Sequence, residues 1–95
     1  MPKGQLYAVL AHEYIYAWQA ENCPKGQSLE LKEGFAEWIA YKVLQAFGHD
    51  QWADYLYDNR RTGASHYDTG FRRMCTMEQR FGEAYVVKAV QRLRQ

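Results

Sequence analysis

Apolar residues in this chain recur at intervals of three and four, and no stretch alternates in the way a half-buried strand would. The clearest case is the segment with Leu31, Phe35, Trp38, Ile39, Leu44 and Phe47, which predicts a helix from about Leu29 to Phe47 with those side chains as its buried side. Ser28 fits as its N-cap, and Gly48 fits the position just past its end. A preceding helix is expected from about Gln5 to Glu21. It should stop at Asn22-Cys23-Pro24-Lys25-Gly26, because Pro24 cannot continue it and disfavours helix at Cys23. A shorter third helix, about Gln51 to Tyr57, would bury Trp52, Tyr55 and Leu56, and the loop Asp58 to Ser65 follows. A fourth helix from about Asp68 to Phe81 is closed by Gly82. A fifth, Glu83 to Leu93, carries Lys88, Arg92 and Arg94 near its end, where the helix dipole favours them. The prediction is an all-α bundle of about five helices, residues 1–95 forming one domain without internal repeat or long linker.

Composition sharpens this picture only in part. Of the 95 residues 47% are hydrophobic and 16% aromatic, enough for one core. Twelve basic and eleven acidic residues leave a net charge of +1, which supplies no electrostatic case for nucleic acid or a membrane surface as partner. No run approaches the roughly 18 apolar residues of a membrane span. Met1 to Gln5 lacks the apolar core of a secretion signal, so a cytoplasmic location is expected. Cys23 and Cys75 stand far apart and outside any paired motif, which excludes a cysteine-built structural zinc and favours two free thiols.

Candidate chemistry begins at Leu10 to Trp18, LAHEYIYAW. Two histidines four residues apart on one helix face can grip one zinc, with a glutamate after the first as the base for the metal-bound water. Here His12 and Glu13 are in place, but Tyr16 stands at the second histidine position. On the next helix Glu33 and Glu37 share a face, with Glu30 one turn earlier. On an amphipathic helix such a stripe is usually solvated; its position after the His-Glu helix is what gives it interest.

His12-Glu13 on one helix, a short turn, and Glu33-Gly34-Phe35-Ala36-Glu37 on the next resemble the gluzincin class of zinc metallopeptidases. Within that class the segments are most similar to the peptidase domain of plant LIM-domain ubiquitin-activated peptidases and bacterial relatives, through Ala17-Trp18 after the histidine motif and Glu33-Gly34 on the second helix. The downstream HYDTGFRRMCTMEQRFG resembles a Tyr-x-x-Gly helix of the bacterial members. The resemblance implies the helical half of a zincin-like domain. In it His12 and Glu33 would be metal ligands and Glu37 would support His12 from behind. Glu13 would be the base, and Tyr67, which opens the Tyr-x-x-Gly pattern, a donor to the developing oxyanion.

Two departures weigh against activity. With Tyr16 as the third metal ligand, zinc would have to strip a phenol of its proton, so zinc binding is expected to be weak or absent. With only some five residues before the first helix, the chain is also expected to lack the small sheet whose edge strand binds substrate in zincins. The remaining candidates read as ordinary structure: His49 beside the end of the second helix, His66 on a loop surface, Trp18 and Trp38 in the core, and Arg60, Arg61, Arg72 and Arg73 as solvated charges. Three functions follow. The first is an inactive metallopeptidase-like domain that binds protein or peptide. The second is an active zinc peptidase with a substituted ligand. The third is a helical interaction module that self-associates as a homo-oligomer, because an uncovered first helix would expose apolar residues.

Overall fold

Helical periodicity translates into five helices, and the described residues contain no strand: α1 (Lys3–Asn22), α2 (Leu29–Ala46), α3 (Asp50–Arg60), α4 (His66–Phe81) and α5 (Glu83–Val90). The computed structural model describes residues 3–95, so Met1 and Pro2, on which part of the amino-terminal reading falls, lie outside the described residues. No helix among those residues is long and apolar enough to cross a membrane.

α2 is the central element because it is apolar on more than one side. Leu31, Phe35, Ala36, Trp38, Ala40 and Leu44 are all buried, and the helix packs against α1, α3 and α4. α4 in turn carries α5. The core joins Ile15 of α1 and the α2 side chains to Phe71 and Met74 of α4 and Val86 and Val90 of α5. Burying each of the larger ones contributes roughly 1.5–3 kcal/mol. α2 and α4 cross backbone on backbone at Gly34 and Gly70. A Cβ on Gly34 would strike the Gly70 backbone, and one on Gly70 would strike the carbonyl oxygen of Glu30.

Turn chemistry sets the helix ends. Ser28 accepts a hydrogen bond from the Leu31 amide at 3.2 Å, as its N-cap position requires. At the other end of α2, Gly48 has φ +76°, its N–H donates to Gln45 O, and the His49 N–H donates to Leu44 O. This is a Schellman motif, and it explains the association of His49 with that helix end. α4 starts at His66, two residues before the expected Asp68, because Ser65 and Asp68 form a reciprocal capping box. α5 stops at Val90 rather than Leu93. There the chain leaves the helix to meet the α1–α2 turn, where the Gln27 side chain donates to Val90 O and Leu93 O and the Ser28 N–H donates to Arg94 O.

Two expectations about burial and one about a helix end are corrected. Phe47, placed on the buried side of α2, is 64% exposed and stacks on Tyr7 at 5.2 Å, since the helix ends before its side chain can turn inward. α3 does not bury Tyr55. It meets the bundle through the small Ala53, with Trp52 and Leu56 half-buried, Trp52 closing over Gly4 of α1. α3 also runs on through Asp58 and Asn59 to Arg60, residues expected in a loop. Trp18 and Trp38 pack as anticipated, Trp38 fully buried and Trp18 half-buried against Phe35 with ring centroids 5.7 Å apart.

Candidate functional site

α1 and α2 lie side by side and bring His12, Tyr16, Glu33 and Glu37 to one seam. The His12 Nδ1–H donates to the carbonyl of Ala8 one turn earlier at 2.9 Å, and His12 Nε2 lies 2.8 Å from Glu37 Oε1. Both partners accept hydrogen bonds. A neutral imidazole has one N–H, so only the imidazolium satisfies both contacts. The Glu37 hydrogen bond accordingly raises the pKa of His12 above 6.5 against the opposing effect of burial, and the charge of Glu33 adds to the rise.

Glu37 is a buried carboxylate and needs more than one partner. Burial pushes its pKa up, but the His12 hydrogen bond and the Arg60 guanidinium outweigh that and hold it below 4.5. Arg60 reaches it from the last turn of α3, Nε donating to Glu37 Oε2 at 3.1 Å, while Nη1 donates to Asp68 Oδ1 at 3.0 Å. Asp68 also takes the amide and hydroxyl of Ser65, which with Arg60 keep its pKa low. One chain of hydrogen bonds therefore runs His12–Glu37–Arg60–Asp68–Ser65 and ties α1 to α2, α3 and α4. This corrects the reading of Arg60 as a solvated charge. Arg72 is corrected likewise, since it donates to the carbonyls of Arg60 and Gly63.

The second pair at the seam is separate. The Tyr16 hydroxyl donates to Glu33 Oε2 at 2.6 Å, and partial burial together with that carboxylate pushes its pKa well above the ordinary tyrosine value. Tyr67 sits nearby, its ring 5.3 Å from the Arg60 guanidinium, and its phenol adds to the rise at Tyr16. Glu13 is exposed and joins no hydrogen bond or ion pair among the described residues. His66, first residue of α4, is also exposed. Gln19, one turn beyond Tyr16, is buried; its amide donates to Lys32 O and its Oε1 has no hydrogen-bond partner among the described residues.

This arrangement does not fit a zinc ion as it stands. Ligation needs an imidazole lone pair and a phenolate, whereas both His12 nitrogens face acceptors and Tyr16 keeps its proton, donating it in a hydrogen bond to Glu33. Among the described residues no group of three or more His, Cys, Asp or Glu is placed to hold a metal ion. Beside the seam, between α1 and α3, a cleft has His12, Glu37 and Arg60 in its lining together with Trp52, Tyr55 and Asn59. The cysteines are free, and burial raises both thiols, Cys75 to about 11.

The signal for the Asp68 part of this network was present as Ser65-x-x-Asp68, a capping-box pattern. Nothing local distinguishes Arg60 from its neighbour Arg61. Compared with models of protein families, with curated proteins and with solved structures, the chain matches none.

Proposed function

We propose that this chain is a non-catalytic relative of the gluzincin metallopeptidases, keeping the His-Glu helix and the acidic helix beside it as the scaffold of a protein- or peptide-binding module. One observation carries the reading: Tyr16 and Glu33, two of the side chains that would grip a metal, are paired with each other instead, and both ring nitrogens of the third, His12, face acceptors. A hydrolase of this class needs the same atoms open toward a metal-bound water, with Glu13 against that water. The cleft lined by Trp52, Tyr55 and Asn59 above the His12–Glu37–Arg60 network is then the natural place for a bound segment, since aromatic side chains offer apolar area and the network offers charge.

Zinc calorimetry separates this reading from an active enzyme. The parent is expected to bind no stoichiometric zinc and to cleave neither casein nor peptides with or without it. Tyr16→His frees Glu33 and restores an imidazole one turn after His12, so it should bind zinc and gain melting temperature by mass action, and Tyr16→His/Glu33→Gln should lose both effects. Tight binding by the parent, or chelator-sensitive proteolysis abolished in Glu13→Gln, would overturn the proposal. Failure of Tyr16→His to bind would mean that the two helices no longer hold metal geometry and would favour a helical interaction module instead.

A further inference from the structure

α1 packs extensively only on α2, yet it carries large apolar side chains on its solvent side as well as on its core side. Ala11 and Ile15 face the core, while Leu6, Val9, Leu10 and Tyr14 are exposed, Leu10 and Tyr14 on the rim of a groove that Ala11 and Ile15 share with Phe35 and Ile39. Large apolar side chains grouped on an exposed helix face mark an interaction surface, so this face lacks a neighbour. Its termini are unusual too: α1 has no acidic residue in its first turn and no basic residue in its last. Instead the exposed Lys3 stands at its positive end and the exposed Glu21 near its negative end, each of the sign that the helix's own dipole disfavours.

We propose that a second copy of this chain covers that face by antiparallel pairing of α1 with α1. Lys3, Tyr7, Leu10, Tyr14, Ala17 and Glu21 follow one another at alternating steps of four and three and form a single stripe, the spacing of a helix-pairing seam. Leu10 and Tyr14 at its centre are 53% and 71% exposed. Under a two-fold axis level with His12 the stripe is complementary to itself. Lys3 meets Glu21 of the second copy, Tyr7 meets Ala17, and Leu10 meets Tyr14, each contact occurring twice. Opposite charges meet at the ends, a large side chain meets a small one next to them, and apolar side chains fill the middle. The arrangement also sets each misplaced charge beside the favourable end of the other helix. Parallel pairing would put Lys3 on Lys3 and Glu21 on Glu21. Glu13 of both copies falls on one solvated flank, where salt screens the repulsion. The proposal does not rest on the peptidase reading.

Sedimentation of the full chain across the micromolar range tests it. The expected mass is twice the 11.2 kDa of the chain. Leu10→Glu/Tyr14→Glu alters only exposed positions, so it should be monomeric with unchanged helical circular dichroism. Lys3→Glu and Glu21→Lys should each weaken the dimer about tenfold, because two attractions become two repulsions, and the double swap should restore it to within about threefold of the parent. A monomer at every concentration would assign the face to a different polypeptide and overturn the proposal. So would a dimer that survives Leu10→Glu/Tyr14→Glu, or a double swap that fails to restore pairing.

Discussion

At the scale of single residues, His12 and Glu37 show how position in the fold converts a surface-type residue into a structural charge. The pKa of His12 lies above its ordinary 6.5, so its contribution to stability is complete below that value and is lost as pH rises through the folded pKa. Glu37 lies below its ordinary 4.5, so its contribution is present above that value and is lost as pH falls through the lower folded pKa. The pair therefore stabilises most between about 4.5 and 6.5. The thermal midpoint should decline as pH is raised beyond that window, and the decline should be much smaller in His12→Gln, whose amide still donates to Glu37 but does not titrate. An NMR titration placing the His12 pKa at or below 6.5 would contradict the network. None of this can be read from LAHEYIYAW alone. The helix places His12 on a face; what stands opposite is decided by α2 and by Arg60.

At the scale of elements, the crossing of α2 and α4 at Gly34 and Gly70 decides a sign that helix propensity gets wrong. In an isolated helix, alanine is better than glycine by about 1 kcal/mol. Here Gly70→Ala drives a methyl into the Glu30 carbonyl and the Gly34 backbone, which has no flexible end to move aside. Urea unfolding should show Gly70→Ala destabilised by about 3 kcal/mol or more. Gly26→Ala, at φ +75° with open space around it, should cost only about 1 kcal/mol. Stabilisation by Gly70→Ala would mean the helices are not in this contact. The helices themselves were legible because their starts and stops are local: Ser28, Pro24, Gly48 and Gly82 act within a turn of where they stand. The start of α4 is equally local: the Ser65–Asp68 box begins the helix at His66, two residues before Asp68.

At the scale of the molecule, the carboxyl-terminal segment is held by residues far away in the chain. The Gln27 side chain donates to Val90 O and to Leu93 O at 2.8 Å each, closing the α1–α2 turn over the end of α5. Gln27→Ala should cost about 2 kcal/mol through the two lost hydrogen bonds. It should also speed hydrogen exchange in α5 more than in α2, since α5 alone loses an anchor. Unchanged protection of α5 would show that apolar contacts of Val86 and Val90 hold it without the clasp. The same clasp explains why Arg92 and Arg94 do not extend the last helix, although their charges suit a helix end.

What the sequence by itself determined is what depends on neighbours within a few positions: an all-helical chain, five elements, their approximate ends, and the sharing of one face by His12 with Tyr16 and by Glu33 with Glu37. Apolar spacing and capping act over single turns, so they are visible in one dimension. Only the tertiary structure decided which of two adjacent arginines is structural, that Phe47 and Tyr55 stay in solvent, and that Tyr16 is committed to Glu33. Those outcomes depend on how close and at what angle helices remote in sequence meet, and here two glycines and an alanine at the crossings set that distance.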